Sequence, residues 1–122
     1  MSNGPPGINF ECADPMLRVR DLWASVAFYE DVLGFTRADW ATTGEHPVTS
    51  VNRQGAGIYL VQDDPGTGAL VWVGAGDVDL LYAEYLASGA PITSPPTNHP
   101  WALEMEVTDL DGHVLRFGGT PR

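Results

Sequence analysis

Met16-Leu17-Arg18-Val19-Arg20-Asp21 begins a unit of sequence that this chain uses twice. Arginines alternate with Leu17 and Val19, which is the period of a half-buried strand, and the closing aspartate is a residue type that caps helices. A second apolar stretch, residues 70–73, also leads to an aspartate, Asp77, which follows Asp21 by 56 residues. Regular spacing of this kind predicts two copies of one supersecondary unit.

The glycines keep the same spacing. Gly34 and Gly89, which follow the two amphipathic stretches, lie 55 residues apart, as do Gly57 and Gly112, which open the last strand of each unit. A glycine after a helix commonly takes the left-handed conformation that ends it. The second unit is therefore predicted to repeat the first along its whole length.

The first unit reads as β-α-β-β-β. A strand at residues 16–20 leads into a helix whose apolar residues at 22, 26, 29 and 33 share one face and which ends at Gly34. Turn residues then separate three short strands, predicted at residues 35–41, 48–53 and 57–62.

The second unit follows the same order. A strand at residues 69–73 precedes a helix from Asp77 to Ser88, Pro95-Pro96 and Asn98 mark an exposed loop, and strands are predicted at 101–108 and 113–117 around the turn 109–112. The sequence therefore predicts an α+β fold in one domain spanning 1–122. Its modules cover about 13–62 and 69–118, and residues 63–68 link them.

Composition limits the classes of protein. The 122 residues are 43% hydrophobic and 18% charged, as in a soluble globular domain. No apolar run reaches the length of a membrane span and no signal peptide is evident, so a cytoplasmic protein without membrane contacts is expected. Cys12 is the only cysteine, which excludes an internal disulfide.

The net charge of the chain favours some classes of binding partner and argues against others. Six basic against sixteen acidic residues give a net charge of -10, which argues against nucleic-acid binding because that draws its affinity from clustered lysine and arginine. An acidic surface attracts a cationic ligand, although solubility alone explains the same composition.

Two groups of residues resemble a known family. Val19-Arg20-Asp21, Ser25, Phe28-Tyr29 and Leu33-Gly34-Phe35 resemble the opening signature of the vicinal oxygen chelate superfamily of glyoxalases, bleomycin resistance proteins and dioxygenases. The closing signature, in its bleomycin-resistance form, is similar to Pro100-Trp101, Glu104, Asp109, Asp111-Gly112 and Leu115-Arg116-Phe117. The resemblance implies paired βαβββ modules, each curled into a half-barrel, in a bacterial homodimer.

Enzymes of that superfamily hold a divalent metal through four side chains. The resemblance carries these positions onto Asp14, Val61, Leu70 and Arg116, of which only the aspartate can ligate a cation. A slip in register would offer Tyr59 or Gln62 in place of Val61, but not a replacement for the arginine. We therefore expect no metal and no cofactor, and an ion pair between Asp14 and Arg116 is one hypothesis for the vacated position.

Residues for covalent or acid–base catalysis are not evident. His46, His99 and His113 lie in or beside turns without a partner at ligand spacing, and no serine lies in a Gly-x-Ser-x-Gly elbow. No catalytic residue is assigned.

Aromatic side chains remain as the candidate binding surface. Flat rings on or beside the concave strands bind large planar molecules, although core packing explains the same rings, Trp72 in particular. Asp39, Glu104 and Glu106 would complement a cation. Ala102 departs from the glycine usual in the family, which puts bleomycin itself in doubt. The predicted ligand-binding residues are Phe35, Trp40, Ser50, Tyr59, Trp72, Trp101, Glu104 and Arg116.

Three functions fit this pattern. The preferred one is a metal-independent, dimeric binding protein of the antibiotic-resistance type that sequesters a cationic or polycyclic small molecule. The second is a metal-dependent lyase or isomerase of the glyoxalase type, in which Glu104 or Glu106 supplies a displaced ligand. The third is an accessory module that acts through its dimer surface.

Overall fold

A computed structural model describes residues 4–122 of the chain. Within these residues the chain forms eight strands and two helices. The first module contains β1 (Met16–Val19), α1 (Leu22–Asp31), β2 (Thr36–Arg37), β3 (Val48–Arg53) and β4 (Ala56–Gln62). The second contains β5 (Leu70–Gly74), α2 (Val78–Ser88), β6 (Ile92–Asn98), β7 (Leu103–Thr108) and β8 (Val114–Gly119).

Each module forms its own four-stranded mixed sheet. The strand orders are β1-β4-β3-β2 and β5-β8-β7-β6, so the topology of the first sheet is repeated in the second. In both sheets the first and last strands of the module are parallel neighbours, and the remaining pairs are antiparallel. The prediction of an α+β fold built from two βαβββ modules is confirmed.

The predicted helix signals act as expected. Asp21 accepts a hydrogen bond from the backbone N–H of Ala24 at 3.1 Å, and Asp77 accepts one from Leu80 at 3.0 Å. Gly34 and Gly89 have φ values of 77° and 76°, a region that side chains other than glycine rarely occupy. Both helices therefore begin where the repeat places them, and α2 also ends there, whereas α1 ends at Asp31 with Val32 as its C-cap, before the predicted end at Gly34.

The two modules share one hydrophobic core. Alternation along the strands turns Leu17 and Leu60 of the first sheet, and Met105 and Leu115 of the second, into a single cluster of buried side chains. The opposite face of each sheet is turned away from that core.

Buried polar contacts also connect the modules. The Tyr29 hydroxyl donates to Asp109 Oδ2 at 2.7 Å, and the Tyr85 hydroxyl donates to the carbonyl oxygen of Leu33 at 2.8 Å. Burial and the neighbouring Asp109 carboxylate raise the pKa of Tyr29, and burial raises the pKa of Tyr85 to about 12. Both tyrosines therefore act as neutral donors.

The predicted loop at Pro95-Pro96 and Asn98 is wrong, because these residues belong to β6. The strand lies at the edge of its sheet, where prolines are tolerated since they need not donate to a neighbour on the outer side. Its pairing with β7 is irregular, with register shifts between Ile92 and Ser94 and between Ser94 and Thr97.

Two predicted strands are shorter than expected. The strand predicted at 35–41 is reduced to β2, because the N–H of Phe35 donates to the carbonyl oxygen of Tyr29 at the end of α1. The strand predicted at 101–108 begins only at Leu103, because a hydrogen bond from the N–H of His99 to the carbonyl oxygen of Ala102 closes a turn there. Trp101 therefore projects from a turn.

No helix within residues 4–122 is long and apolar enough to cross a membrane.

Candidate ligand-binding site

The outward face of each sheet is open to solvent and partly apolar. Strand alternation places Met16 of β1 and Leu70 and Trp72 of β5 on these faces, where they are 60%, 58% and 56% exposed. Large apolar side chains with that exposure are candidates for contact with a ligand or another protein. We call the two surfaces the first and second open faces, after their modules.

The second open face contains a groove of about 240 Å³. Its floor comes from β7 and β8 and its rim from β6 and the turn before β7. The lining residues are Ser94, Thr97, His99, Trp101, Glu104, Glu106 and Arg116.

Two stacked rings form the rim of this groove. The His99 and Trp101 rings are nearly parallel, with an interplanar angle of 4° and centroids 4.5 Å apart. Trp101 is 69% exposed, so in the single chain its outer surface is accessible to a ligand. The core alternative for Trp101 is therefore excluded.

Trp72 also lies on the second open face and is held in place. Its Nε1–H donates to Glu104 Oε2 at 2.9 Å, while the other carboxylate oxygen of Glu104 lies 3.9 Å from His99 Nε2. Glu104 thus lies between Trp72 and Trp101. It contacts Trp72 directly, and it is linked to Trp101 through His99, whose ring is stacked on that tryptophan.

Arg116 forms an ion pair within the groove. Its Nε and Nη2 both lie 2.7 Å from Glu106 Oε2. The hypothesis of an ion pair between Asp14 and Arg116 is wrong for contacts within the chain, since Asp14 instead accepts a weak hydrogen bond from Cys12 Sγ at 3.5 Å. The arginine has a nearer partner directly across the β7–β8 pair.

The chemistry of the four metal positions does not favour a cation. Val61 and Leu70 offer no donor atom, and the fourth position holds the Arg116 guanidinium. Glu104 and Glu106, the carboxylates available as replacement ligands, are engaged by Trp72 and Arg116. In the part of the chain from residue 4 onward, no three His, Cys, Asp or Glu side chains come together as a ligand set.

The first open face carries a smaller aromatic pair. The Trp40 and Tyr59 rings lie with centroids 6.1 Å apart and tilted by 43°, and Trp40 is 41% exposed. Ser50 pairs with Tyr59 across β3 and β4, but it is only 6% exposed. These three predicted residues therefore cluster together, apart from the groove of the second module.

Phe35 is not on either open face. It is 4% exposed and packs edge-on against Tyr29 in the shared core, with ring centroids 5.7 Å apart. The prediction that Phe35 lies on or beside the concave surface is therefore wrong. Because the N–H of Phe35 bonds back to the end of α1, the residue follows the helix inward and does not begin a surface strand.

A separate cleft of about 420 Å³ lies between the modules, with Phe35 and Phe117 in its wall. Its charged groups satisfy each other: Arg53 Nη1 lies 2.6 Å from Glu84 Oε2 and also donates to the carbonyl oxygen of Leu33. The hydrogen bond from Arg53 lowers the pKa of Glu84, and the same contact raises the pKa of Arg53. This pair joins the modules, and the remaining charged residue of the wall, Asp77, accepts the capping hydrogen bond of α2.

The sequence thus identified four of the residues that meet at the second open face: Trp72, Trp101, Glu104 and Arg116. It missed Ser94, Thr97 and the stacking role of His99. The signal for His99 was its place beside Pro100-Trp101, but the parallel stacking depends on a turn that only the structure shows.

Many solved structures are similar to this chain, and three of them illustrate the likeness. TnmS3, an antibiotic binding protein from Streptomyces sp. CB03234, is 24% identical with a TM-score of 0.77, covering 94% of this chain and 99% of its own. TioX from Micromonospora sp. ML1 is 22% identical with a TM-score of 0.75, covering 89% and 98%. A glyoxalase/bleomycin resistance protein from Streptomyces sp. CB03234 is 25% identical with a TM-score of 0.69, covering 87% and 99%.

No curated protein is similar enough to count as a match. The model of one protein family, however, matches residues 12–117, from just before β1 into β8. That range contains both βαβββ modules and all the residues of the groove. With the repeated topology, this match shows that the chain belongs to the Glyoxalase/Bleomycin resistance protein/Dioxygenase superfamily.

Proposed function

We propose that this protein binds a flat, aromatic small molecule that carries a positive charge, and that it acts by holding the molecule without breaking a bond. The observation that carries this proposal is the pair of exposed tryptophans around one carboxylate. Trp72 is hydrogen-bonded to Glu104, and Trp101 is stacked on the histidine beside it. Exposed rings in a groove offer stacking surface at low conformational cost.

Charge supports a cationic group on the ligand. The groove contains the carboxylates of Glu104 and Glu106 against one guanidinium, that of Arg116. A cation above an indole ring is attracted to its face, and a nearby carboxylate adds to that attraction. The net charge of -10 would also draw a cation toward the protein.

Binding without metal chemistry is part of the proposal. Valine, leucine and arginine at three of the four family metal positions favour a groove that recognises its ligand through rings and charge. A relative of this fold, TnmS3, is described as an antibiotic binding protein, which supports a drug-type ligand for this chain. We place the protein in the bacterial cytoplasm, where sequestration would protect an intracellular target.

We further propose a homodimer in which the first open face of one protomer covers the second open face of its partner. Met16, Leu70 and Trp72 are more than half exposed in the single chain, and a two-fold partner would bury them. The groove of the second module has no wall from the first module in the same chain. A partner would place Trp40 and Tyr59 opposite it.

The test is a binding titration of purified protein with a panel of planar antibiotics, cationic and neutral, bleomycin included. Trp72→Ala and Trp101→Ala should each weaken binding of a hit by about tenfold or more, the loss typical of a central aromatic anchor. Trp23→Ala is the matched control, since Trp23 is 51% exposed on α1 and sits under the Arg37 guanidinium, outside the groove.

Metal analysis of the same protein separates binding from the enzyme alternative. Stoichiometric zinc, nickel or manganese in purified protein would overturn the metal-independent proposal. Unchanged affinity in both tryptophan variants would show that the groove is not the binding site.

A further inference from the structure

Trp72 is highly exposed, yet its indole ring is held in place by specific contacts. More than half of its surface is accessible, yet its indole makes a directed hydrogen bond and lies against the backbone of the neighbouring strand. An exposed tryptophan normally samples several rotamers. Here the hydrogen bond to Glu104 and the packing beside Gly118 favour one position of the ring.

The ring lies on a surface made of glycine. A Cβ atom added at Gly118 would lie 2.5 Å from Trp72 Cζ2 and 2.7 Å from Nε1, and one added at Gly74 would lie 3.4 Å from Cζ3. Gly74 and Gly118 are cross-strand partners in β5 and β8. The indole therefore occupies space that is available only because Gly118 lacks a side chain, whereas a Cβ at Gly74 would make an ordinary van der Waals contact with the ring.

Glu104 fixes the far edge of the ring. Gly118 pairs with Glu104 on β7 on its other side, so Trp72, Gly118 and Glu104 come from three adjacent strands. The indole extends from β5 across β8, and its Nε1–H reaches the Glu104 carboxylate at 2.9 Å. The edge of the indole that carries Nε1, Cε2 and Cζ2 lies next to Gly118, and more than half of the ring's surface stays exposed.

We infer that Gly118 and Glu104 are positioning residues that hold Trp72 as a fixed stacking platform for the ligand. This inference rests on the proposed function for its purpose, but its geometry is a property of the ligand-free protein. Glu104 then acts on the ligand through Trp72, by accepting the indole N–H, and its charge is not the main contribution. A ligand stacks on the exposed surface of the ring.

The first test needs no ligand. In a protein with Trp23, Trp40 and Trp101 replaced by phenylalanine, Trp72 is the only tryptophan, and its time-resolved fluorescence anisotropy reports motion of this ring alone. We expect decay by overall tumbling in this protein. A fast local component should appear in Gly118→Ala, where the new methyl displaces the ring, and in Glu104→Ala, where the indole N–H loses its acceptor.

Glu104→Gln separates position from charge. A glutamine oxygen can still accept the indole N–H, so we expect anisotropy close to that of the parent protein. Far-UV circular dichroism checks folding in each variant. Because Glu104→Ala and Glu104→Gln change only a side chain at the surface of the groove, they decide the question even if Gly118→Ala does not fold.

The second test uses proflavine, a planar aromatic cation, as the probe in the otherwise native protein. Gly118→Ala and Glu104→Ala should each weaken proflavine binding about tenfold, and Glu104→Gln less than about threefold. In a Trp72→Ala background, Gly118→Ala should have almost no further effect, because a double-mutant cycle isolates the contact between the two residues.

A fast local component in the parent protein equal to that of the variants would overturn the inference. So would a tenfold loss of proflavine affinity in Glu104→Gln with unchanged anisotropy, since that result makes Glu104 a counter-ion. If the anisotropy results hold and proflavine does not bind, the platform stands and the proposed function fails for this class of ligand.

Discussion

His113 Nε2 lies 2.6 Å from the carbonyl oxygen of Arg18, a residue of the other module. The other ring nitrogen, Nδ1, accepts from the backbone N–H of Ala69 at 2.9 Å, so Nε2 carries the proton that is donated to Arg18. The ring is 2% exposed. A residue whose sequence context indicated only a turn thus connects β1, the start of β5 and the turn before β8.

Replacing His113 should loosen this connection. His113→Ala removes two part-buried hydrogen bonds and the buried ring that makes them, which we expect to lower the free energy of unfolding by about 2–3 kcal/mol. Urea denaturation measures the change. His46→Ala is the control, because His46 is exposed and bonds only to the carbonyl oxygen of Gln62. Equal small effects in both variants would contradict a linking role for His113.

Replacing Ser25 with alanine should stabilise the protein. Its side chain lies in α1 at 1% exposure, and its hydroxyl is the one buried side-chain polar atom in residues 4–122 without a hydrogen-bond partner. Ser25→Ala removes an unsatisfied group and adds helix propensity, so we expect a gain of about 1 kcal/mol.

Ser88→Ala provides the opposite control for Ser25. The Ser88 hydroxyl donates to the carbonyl oxygen of Val32 at 2.7 Å, so the same substitution in α2 should lower stability by about 1 kcal/mol. Thermal unfolding of the two variants compares them directly. A loss of stability in Ser25→Ala would mean that the hydroxyl has a role the fold does not reveal.

The Arg53–Glu84 pair should make the module junction sensitive to acid. Because the hydrogen bond from Arg53 lowers the pKa of Glu84 below its ordinary value of 4.5, the stabilisation is present above that value and is lost as pH falls through the lowered pKa. Glu84→Gln should therefore cost up to about 1 kcal/mol at pH 7, and the difference from the native protein should shrink below about pH 4.

Glu11→Gln controls for the loss of a negative charge alone, since Glu11 forms no ion pair within residues 4–122. Urea unfolding between pH 3 and 7 provides the measurement. A Glu84→Gln deficit that is constant over this range would rule out the ionised pair as its cause.

A charge introduced at position 70 should weaken the dimer if the two open faces meet in it. Leu70→Glu places a carboxylate on the second open face, and we expect the dimer to dissociate at least about tenfold more readily, as measured by sedimentation equilibrium. Leu80→Glu is the control, because Leu80 is 69% exposed but lies on α2, away from both open faces. A monomeric native protein would contradict the proposed assembly.

Local chemistry explains why the repeat could be predicted. Asp21 and Asp77 cap helices with their own side chains, and Gly89 ends α2 because of its own conformational freedom. Such effects depend on neighbours within a few residues, so they can be recognised in the sequence. β6 was missed for the opposite reason: its prolines are tolerated only because the strand lies at a sheet edge.

The features of the candidate site likewise fall into those that the sequence identified and those that only the structure decided. Residue types, strand alternation and the resemblance to the family's closing signature together identified Trp72, Trp101, Glu104 and Arg116. The sequence alone determined the duplicated α+β fold and the residues that cannot hold a metal. Only the tertiary structure decided that Phe35 is buried, that Arg116 pairs with Glu106, and that Trp72 lies over Gly118. These are contacts between strands, and their distances depend on register and packing that no local pattern specifies.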